Sequence, residues 1–179
     1  MLLVVSCKQP NQDKLDELVE RGNFEKSELI EKIKSKVLDT TYMKGFRFND
    51  TLTYFYKDHN FKPVWAMYMV NDSMAKPILD RLFQSREEGL KPSYYRLDSI
   101  KSMLERLKTG EIKSLYGELA HLEFLLADNM LSLHHDRVIG RVDPEKALQR
   151  TYHSPRRKHE DFELLEVLDY ADYNKVLHE

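Results

Sequence analysis

The chain is poor in the residues that punctuate or cross-link a fold: one cysteine, one tryptophan, six glycines and six prolines in 179 residues. A lone cysteine cannot close an internal disulfide, so no disulfide-stapled scaffold is open to it. So few glycines and prolines suit helices better than a sheet with many tight turns. No apolar run reaches the roughly eighteen residues of a membrane-spanning helix. A large charge of either sign is also missing. The net charge is −2 with 32% charged residues, so no global field argues for nucleic acid. Internal repeats and low-complexity segments do not occur. What remains is 41% hydrophobic, which excludes wholesale disorder, and is long enough for one cored domain with or without a tail.

The strongest pattern runs from Leu115 to Pro144. Leu115, Leu119, Leu122, Leu126, Met130 and Leu133 alternate four- and three-residue steps, which places them on one helical face. Tyr116, Ala120, Phe124, Ala127 and Leu131 add a second apolar strip beside it. The polar stripe of Glu118, His121, Asp128, Ser132, His135 and Asp136 is narrow and broken by Leu125. A helix this apolar predicts burial, with the other helices packed around it. Gly140 ends it, and Asp143-Pro144-Glu145 begins another, with an acid to cap, proline at the first position and an acid in the first turn.

Upstream, Leu15, Leu18 and Val19 predict a short helix, and Leu29, Ile30, Ile33 and Val37 a second, charge-rich and loosely docked, with Asn23 or Ser27 to cap it. Asn49 or Asp50 is placed to cap a helix carrying Leu52, Phe55, Tyr56 and His59. Pro63 imposes a turn or extended form on Lys62, and Val64–Val70 reads as a short extended piece without partners. A helix with Ile78, Leu79, Leu82 and Phe83 starts between Asp72 and Pro77, since proline belongs in a first turn, and stops at Gly89 with Leu90 packing back. Another carries Ile100, Met103, Leu104 and Leu107 up to Thr109-Gly110, and a last pattern runs through Phe162, Leu165, Leu168, Tyr173 and Val176. The expected class is all-α, an irregular multi-helix bundle around a central buried helix at about 115–139, with at most a short extended segment near 61–70.

Several constellations invite chemistry, and each has a plainer explanation. Ser73-Met-Ala-Lys76 and Lys108-Thr-Gly110 match the S-x-x-K and K-T-G elements of serine acyl-enzymes. The S-D-N element is missing, K-T-G should lie on a strand, and helix caps account for both. Glu118-x-x-His121 with His134 and His135 supplies too few ligands for a metal, because a carboxylate-bridged site in a bundle needs that motif from two helices. Arg156, Arg157 and Lys158 are followed at once by Glu160 and Asp161, which favours a solvated loop over an anion site. Of Tyr54, Phe55, Tyr56 and Trp65, most fall at core spacing rather than forming a platform. Cys7 has no histidine framed to activate it. No catalytic residue, metal ligand or cofactor site is assigned.

Met1-Leu-Leu-Val-Val-Ser-Cys7, followed by the polar run Lys8–Lys14, resembles the lipobox of a bacterial lipoprotein, with Cys7 as the lipidation site. A basic leader is absent and the apolar run is short, so either the natural start lies upstream or this is an ordinary apolar N-terminus with a buried or free cysteine.

Four further segments, in order, resemble the helical scaffold domain on the N-terminal side of murein L,D-transpeptidases. They are Phe55-Tyr56 with Phe61-Lys-Pro63-Val-Trp65; Gly89-Leu90-Lys-Pro92 with Tyr95; the apolar helix Leu119–Leu133; and Gly140-Arg141-Val142-Asp-Pro144. The likeness covers about Leu52 to Arg157. It implies a domain without chemistry of its own, preceding one in which the cysteine of a Ser-His-Gly-Cys-type segment attacks a peptidoglycan tetrapeptide stem. There, D-alanine leaves and the amine of a second stem resolves the acyl-enzyme. No such segment occurs here, so none of those catalytic residues transfers. The expected organisation is a clipped lipoprotein signal and linker (1–14), charged N-terminal helices (15–45), the scaffold domain (46–160) and a connection (161–179) to a further region. The implied setting is the periplasmic face of a bacterial membrane. There the chain would be anchored only through a lipid on Cys7, with peptidoglycan met through the missing domain, possible envelope-protein partners and no nucleic acid. The alternative is a stand-alone helical envelope lipoprotein that binds a protein or glycan partner.

Overall fold

A computed structural model describes residues 24–66, 72–87, 89–109, 114–138 and 140. Six α-helices and one 3-10 helix make up this part, and no strand occurs among the described residues. They are α1 (Lys26–Leu38), α2 (Thr40–Met43), α3 (Asn49–Asp58), α4 (Asp72–Gln84), η1 (Pro92–Tyr95), α5 (Leu97–Thr109) and α6 (Leu115–Val138).

The 24-residue α6 is the centre, and α1, α3, α4, η1 and α5 all pack against it. From Leu119 to Leu133 every residue but His121 is buried. The other helices present narrower apolar faces to it: Leu29, Ile33 and Val37 from α1, Leu52, Phe55 and Tyr56 from α3, Ile100, Met103 and Leu107 from α5. The expected loose docking of the charged N-terminal helix does not hold. Leu29 and Ile33 are fully buried against the same core, because an i, i+4, i+8 apolar line suffices to seat a helix whose other faces are charged.

Local signals account for most of the boundaries. Gly89 adopts φ +78°, its N–H donates to the Arg86 carbonyl, and the Leu90 N–H donates to the Ser85 carbonyl. This is the paired bonding of a Schellman motif, and Leu90 packs back on the core. The same motif ends α3, with Asn60 (φ +53°) in the glycine position, the Asn60 N–H on the Lys57 carbonyl and the Phe61 N–H on the Tyr56 carbonyl. Phe61 also takes a left-handed φ of +58°, a strained conformation for an aromatic residue.

Some expectations fail for identifiable reasons. Ser27 lies inside α1, whose N-cap, Glu25, makes no side-chain capping bond; the Glu25 N–H donates instead to the Tyr116 hydroxyl. Neither Asn49 nor Asp50 is the N-cap of α3. That position is Phe48, which makes no side-chain capping bond, and its own N–H donates to Asp128 on α6. Pro77 is the sixth residue of α4 rather than a first-turn residue, and the helix carries one backbone bond fewer there. Val64–Val70 is not extended throughout, since Trp65 and Ala66 are already helical and 67–70 lie outside the described residues. The helices expected at 15–22, after Pro144 and from Phe162 also lie outside them.

Candidate functional site

The polar chemistry of the core is concentrated on α6, where Glu123, Asp128 and Asp136 are buried among apolar neighbours. Together these carboxylates reach three parts of the chain.

Glu123 is fully buried, on the line of Tyr116 and Met130 one heptad either way. Its Oε1 accepts from the Tyr56 hydroxyl at 2.6 Å, the Val64 N–H at 2.8 Å and the Trp65 N–H at 3.1 Å, and its Oε2 accepts from the Ala66 N–H at 2.6 Å. Three successive backbone donors at a helix start have no carbonyl partner of their own, and the carboxylate supplies it. The path that brings them there runs through the left-handed Asn60 and Phe61 and then Pro63, which needs no donor bond. Desolvation pushes the carboxyl's pKa up and outweighs the four donated bonds, which pull it down.

Asp136 does the same work at the other end of α6. Its Oδ1 accepts from the Arg47 guanidinium at 2.7 Å and its Oδ2 from the Tyr95 hydroxyl at 3.0 Å. Between them, Asp128 Oδ1 accepts from the Phe48 N–H at 2.9 Å, and burial raises its pKa despite that bond. The three acids thus tie the α2–α3 connection, the 64–66 turn and η1 to one helix.

The histidines occupy the edge of this arrangement. His121 Nδ1 lies 2.6 Å from the Tyr42 hydroxyl, bridging α2 and α6, while the Lys36 ammonium sits 4.2 Å from the Tyr42 ring centroid. Burial lowers the pKa of His121, and Lys36, Arg96 and Arg106 lower it further against the pull of Glu118. Burial also raises Tyr42, which therefore holds its proton and is no base. His135 Nδ1 lies 3.1 Å from Arg47 Nη2 and 3.5 Å from Asp136 Oδ1. Glu118 is ion-paired with Arg106 at 3.1 Å instead of joining His121 at a metal. Among the described residues no group of three or more His, Cys, Asp or Glu is placed to hold a metal ion.

The family-motif residues fall within the same network where they are described. Tyr56, Trp65 and Tyr95 are each fully buried, and the two tyrosines end on Glu123 and Asp136. Pro63 leads into the Glu123 turn, Gly89 and Leu90 form the stop after α4, and Pro92 opens η1. Gly140 has φ +91°, the left-handed backbone expected of a helix stop. Arg141, Val142, Pro144, Cys7 and the Arg156–Lys158 cluster lie outside the described residues. Ser73 and Lys76 lie on α4, and Lys108 and Thr109 are the last two residues of α5, so K-T-G does not begin on a strand. Tyr54 is 60% exposed, unlike Phe55, Tyr56 and Trp65.

Glu123 escapes a reading based on the polar stripe because it is not on that stripe. Its signal is a lone carboxylate in the middle of an apolar line, which has to be partnered or it would not be tolerated. All three acids are committed to intramolecular bonds. The arrangement holds segments in place.

No curated protein and no solved structure matches the chain. The family model described as Scaffold domain matches residues 50–179, well over half its length and the part in which all four motifs lie. The chain belongs to the Scaffold domain family, the helical module that its motifs resemble in murein L,D-transpeptidases.

Proposed function

We propose that this chain is the non-catalytic scaffold portion of an L,D-transpeptidase, acting in peptidoglycan cross-linking and cell-wall biogenesis. The observation that carries the reading is the family match over residues 50–179. The use made of the motif residues supports it, because Tyr56, Trp65 and Tyr95 are consumed in holding helices together. A module built this way offers a rigid support, and the acyl transfer belongs to a cysteine domain beyond these residues. Peptidoglycan is met through that domain. A lipid on Cys7 places the whole on the periplasmic face of a bacterial membrane.

The test is the gene beyond Glu179 and the activity of its full product. A Ser-His-Gly-Cys-type segment in the following few hundred residues, and release of D-alanine from tetrapeptide stems that stops when that cysteine becomes alanine, are expected. A stop codon directly after Glu179 would overturn the reading in favour of a stand-alone envelope lipoprotein. Palmitate labelling with a Cys7→Ala control tests the anchor separately; no label on a protein made with its full natural start removes the lipoprotein assignment.

A further inference from the structure

We infer that His135 is a proton-sensitive latch: its neutral ring holds the Arg47 side chain at the C-terminal end of α6, and protonation releases that hold. The inference rests on donor and acceptor types. Arg47 donates through Nη1 to Asp136 Oδ1 at 2.7 Å, and its Nη2 lies 3.1 Å from His135 Nδ1. A guanidinium has only donors, so Nδ1 must be the acceptor and the ring must be neutral with its proton on Nε2. A second proton would go to Nδ1, where it would face the guanidinium. The same N–H lies 3.5 Å from Asp136 Oδ1, the atom that Arg47 already uses. Protonation therefore replaces an acceptor for Arg47 with a competitor for its carboxylate.

The groups around the ring set how far the release extends. From the α2–α3 connection come Arg47 and the Phe48 ring, whose centroid is 5.6 Å from that of His135. From η1, Tyr95 donates to Asp136. On α6 itself stand His134, Asp136 and Arg137, with Asp128 two turns back, where Arg47 and Arg96 both act on it. His121 keeps its contact on protonation because a tyrosine hydroxyl can accept as well as donate; His135 has no such option, because arginine cannot accept. The Phe48–Asp128 and Tyr95–Asp136 bonds remain, so release frees the Arg47 side chain and loosens the last turn of α6 without detaching the α2–α3 connection. That turn immediately precedes Gly140 and the exit of the chain from the helix.

Nitrogen-15 NMR of the histidine rings in the 179-residue chain tests this directly. At pH 7.5 His135 is expected as the Nε2–H tautomer. On acidification, the Arg47 side-chain signals are expected to shift with the same midpoint as the His135 ring. Amide protection at 135–138 is expected to fall about threefold to tenfold, the loss of one hydrogen bond. His135→Gln, which keeps an acceptor oxygen but does not titrate, should abolish both changes. A neutral Nδ1–H tautomer in the wild-type chain overturns the inference, as does titration of His135 that leaves Arg47 unmoved. Both of those readouts need only the wild-type chain, so poor folding of the variant would not rescue the idea.

Discussion

Glu123 sets two effects against each other within one side chain. Complete burial disfavours its charge, whereas four donors around its oxygens favour it. Glu123→Gln separates them. It removes the buried charge, yet it turns an NH2 toward the Ala66 N–H, leaving two donors facing each other. An unsatisfied buried donor costs about 1–3 kcal/mol, so the variant is expected to lose stability by that order in denaturant unfolding. A gain would mean that desolvation dominates and that the carboxyl is held as an acid. His121 gives the corresponding pH prediction. Burial and three nearby cations depress its folded pKa below 6.5, so the unfolded chain takes up the proton first. The stability associated with its neutral ring is present above pH 6.5 and is lost as pH falls through that value toward the folded pKa. Asp128 acts with the opposite sign: its raised pKa makes the fold lose stability as pH rises above 3.8 toward the folded value. His121→Asn, which retains an acceptor near the Nδ1 position, should flatten the unfolding free energy just below pH 6.5. It should leave the acid-side slope from Asp128 in place.

Single elements are held at their ends by backbone geometry as much as by packing. A Cβ on Gly89 would meet nothing within 4 Å, so only its φ of +78° opposes substitution. Gly89→Ala should therefore cost about 1 kcal/mol, from the left-handed backbone alone, with Gly89→Asn costing less. Equal melting of wild type and Gly89→Ala would show that this stop is not held by conformation. The stop is readable in the chain because glycine, the following leucine and a proline report a local geometry. The extent of α6 is readable as well, since 24 residues of apolar periodicity average over local exceptions. Three features are not readable in that way, each for a different reason. The four-residue α2 is too short for any period to show; Asp39, whose Oδ1 accepts from the Thr41 and Tyr42 N–H groups, was its available signal. The acceptor for the Phe48 N–H at the start of α3 is Asp128, 80 positions away in the chain, and no local pattern encodes that distance. The partners of Glu123 and Asp136 are likewise long-range, so the sequence could flag a carboxylate that needs partners without naming them.

At the level of the whole molecule, one helix carries both the apolar centre and the polar ties. Segments far apart in the chain are joined because each meets α6: α1 and α3 through apolar lines, the 64–66 turn through Glu123, η1 through Asp136. Stability should accordingly depend far more on α6 than on equally apolar residues elsewhere. Leu126 is fully buried within it, whereas Leu38, at the end of α1, is among the most exposed large apolar side chains. Leu126→Asp places an unpaired carboxylate in the core at a cost of several kcal/mol, against the roughly 5–15 kcal/mol that holds a domain folded. It is expected to abolish the cooperative melt and most of the helical circular dichroism. Leu38→Ser, which removes a larger exposed apolar surface than most substitutions do, should stay within about 0.5 kcal/mol of wild type. The two variants together separate hydrophobicity from position. If Leu126→Asp melts like wild type, α6 is not the core. If Leu38→Ser also collapses the fold, stability does not follow burial against α6.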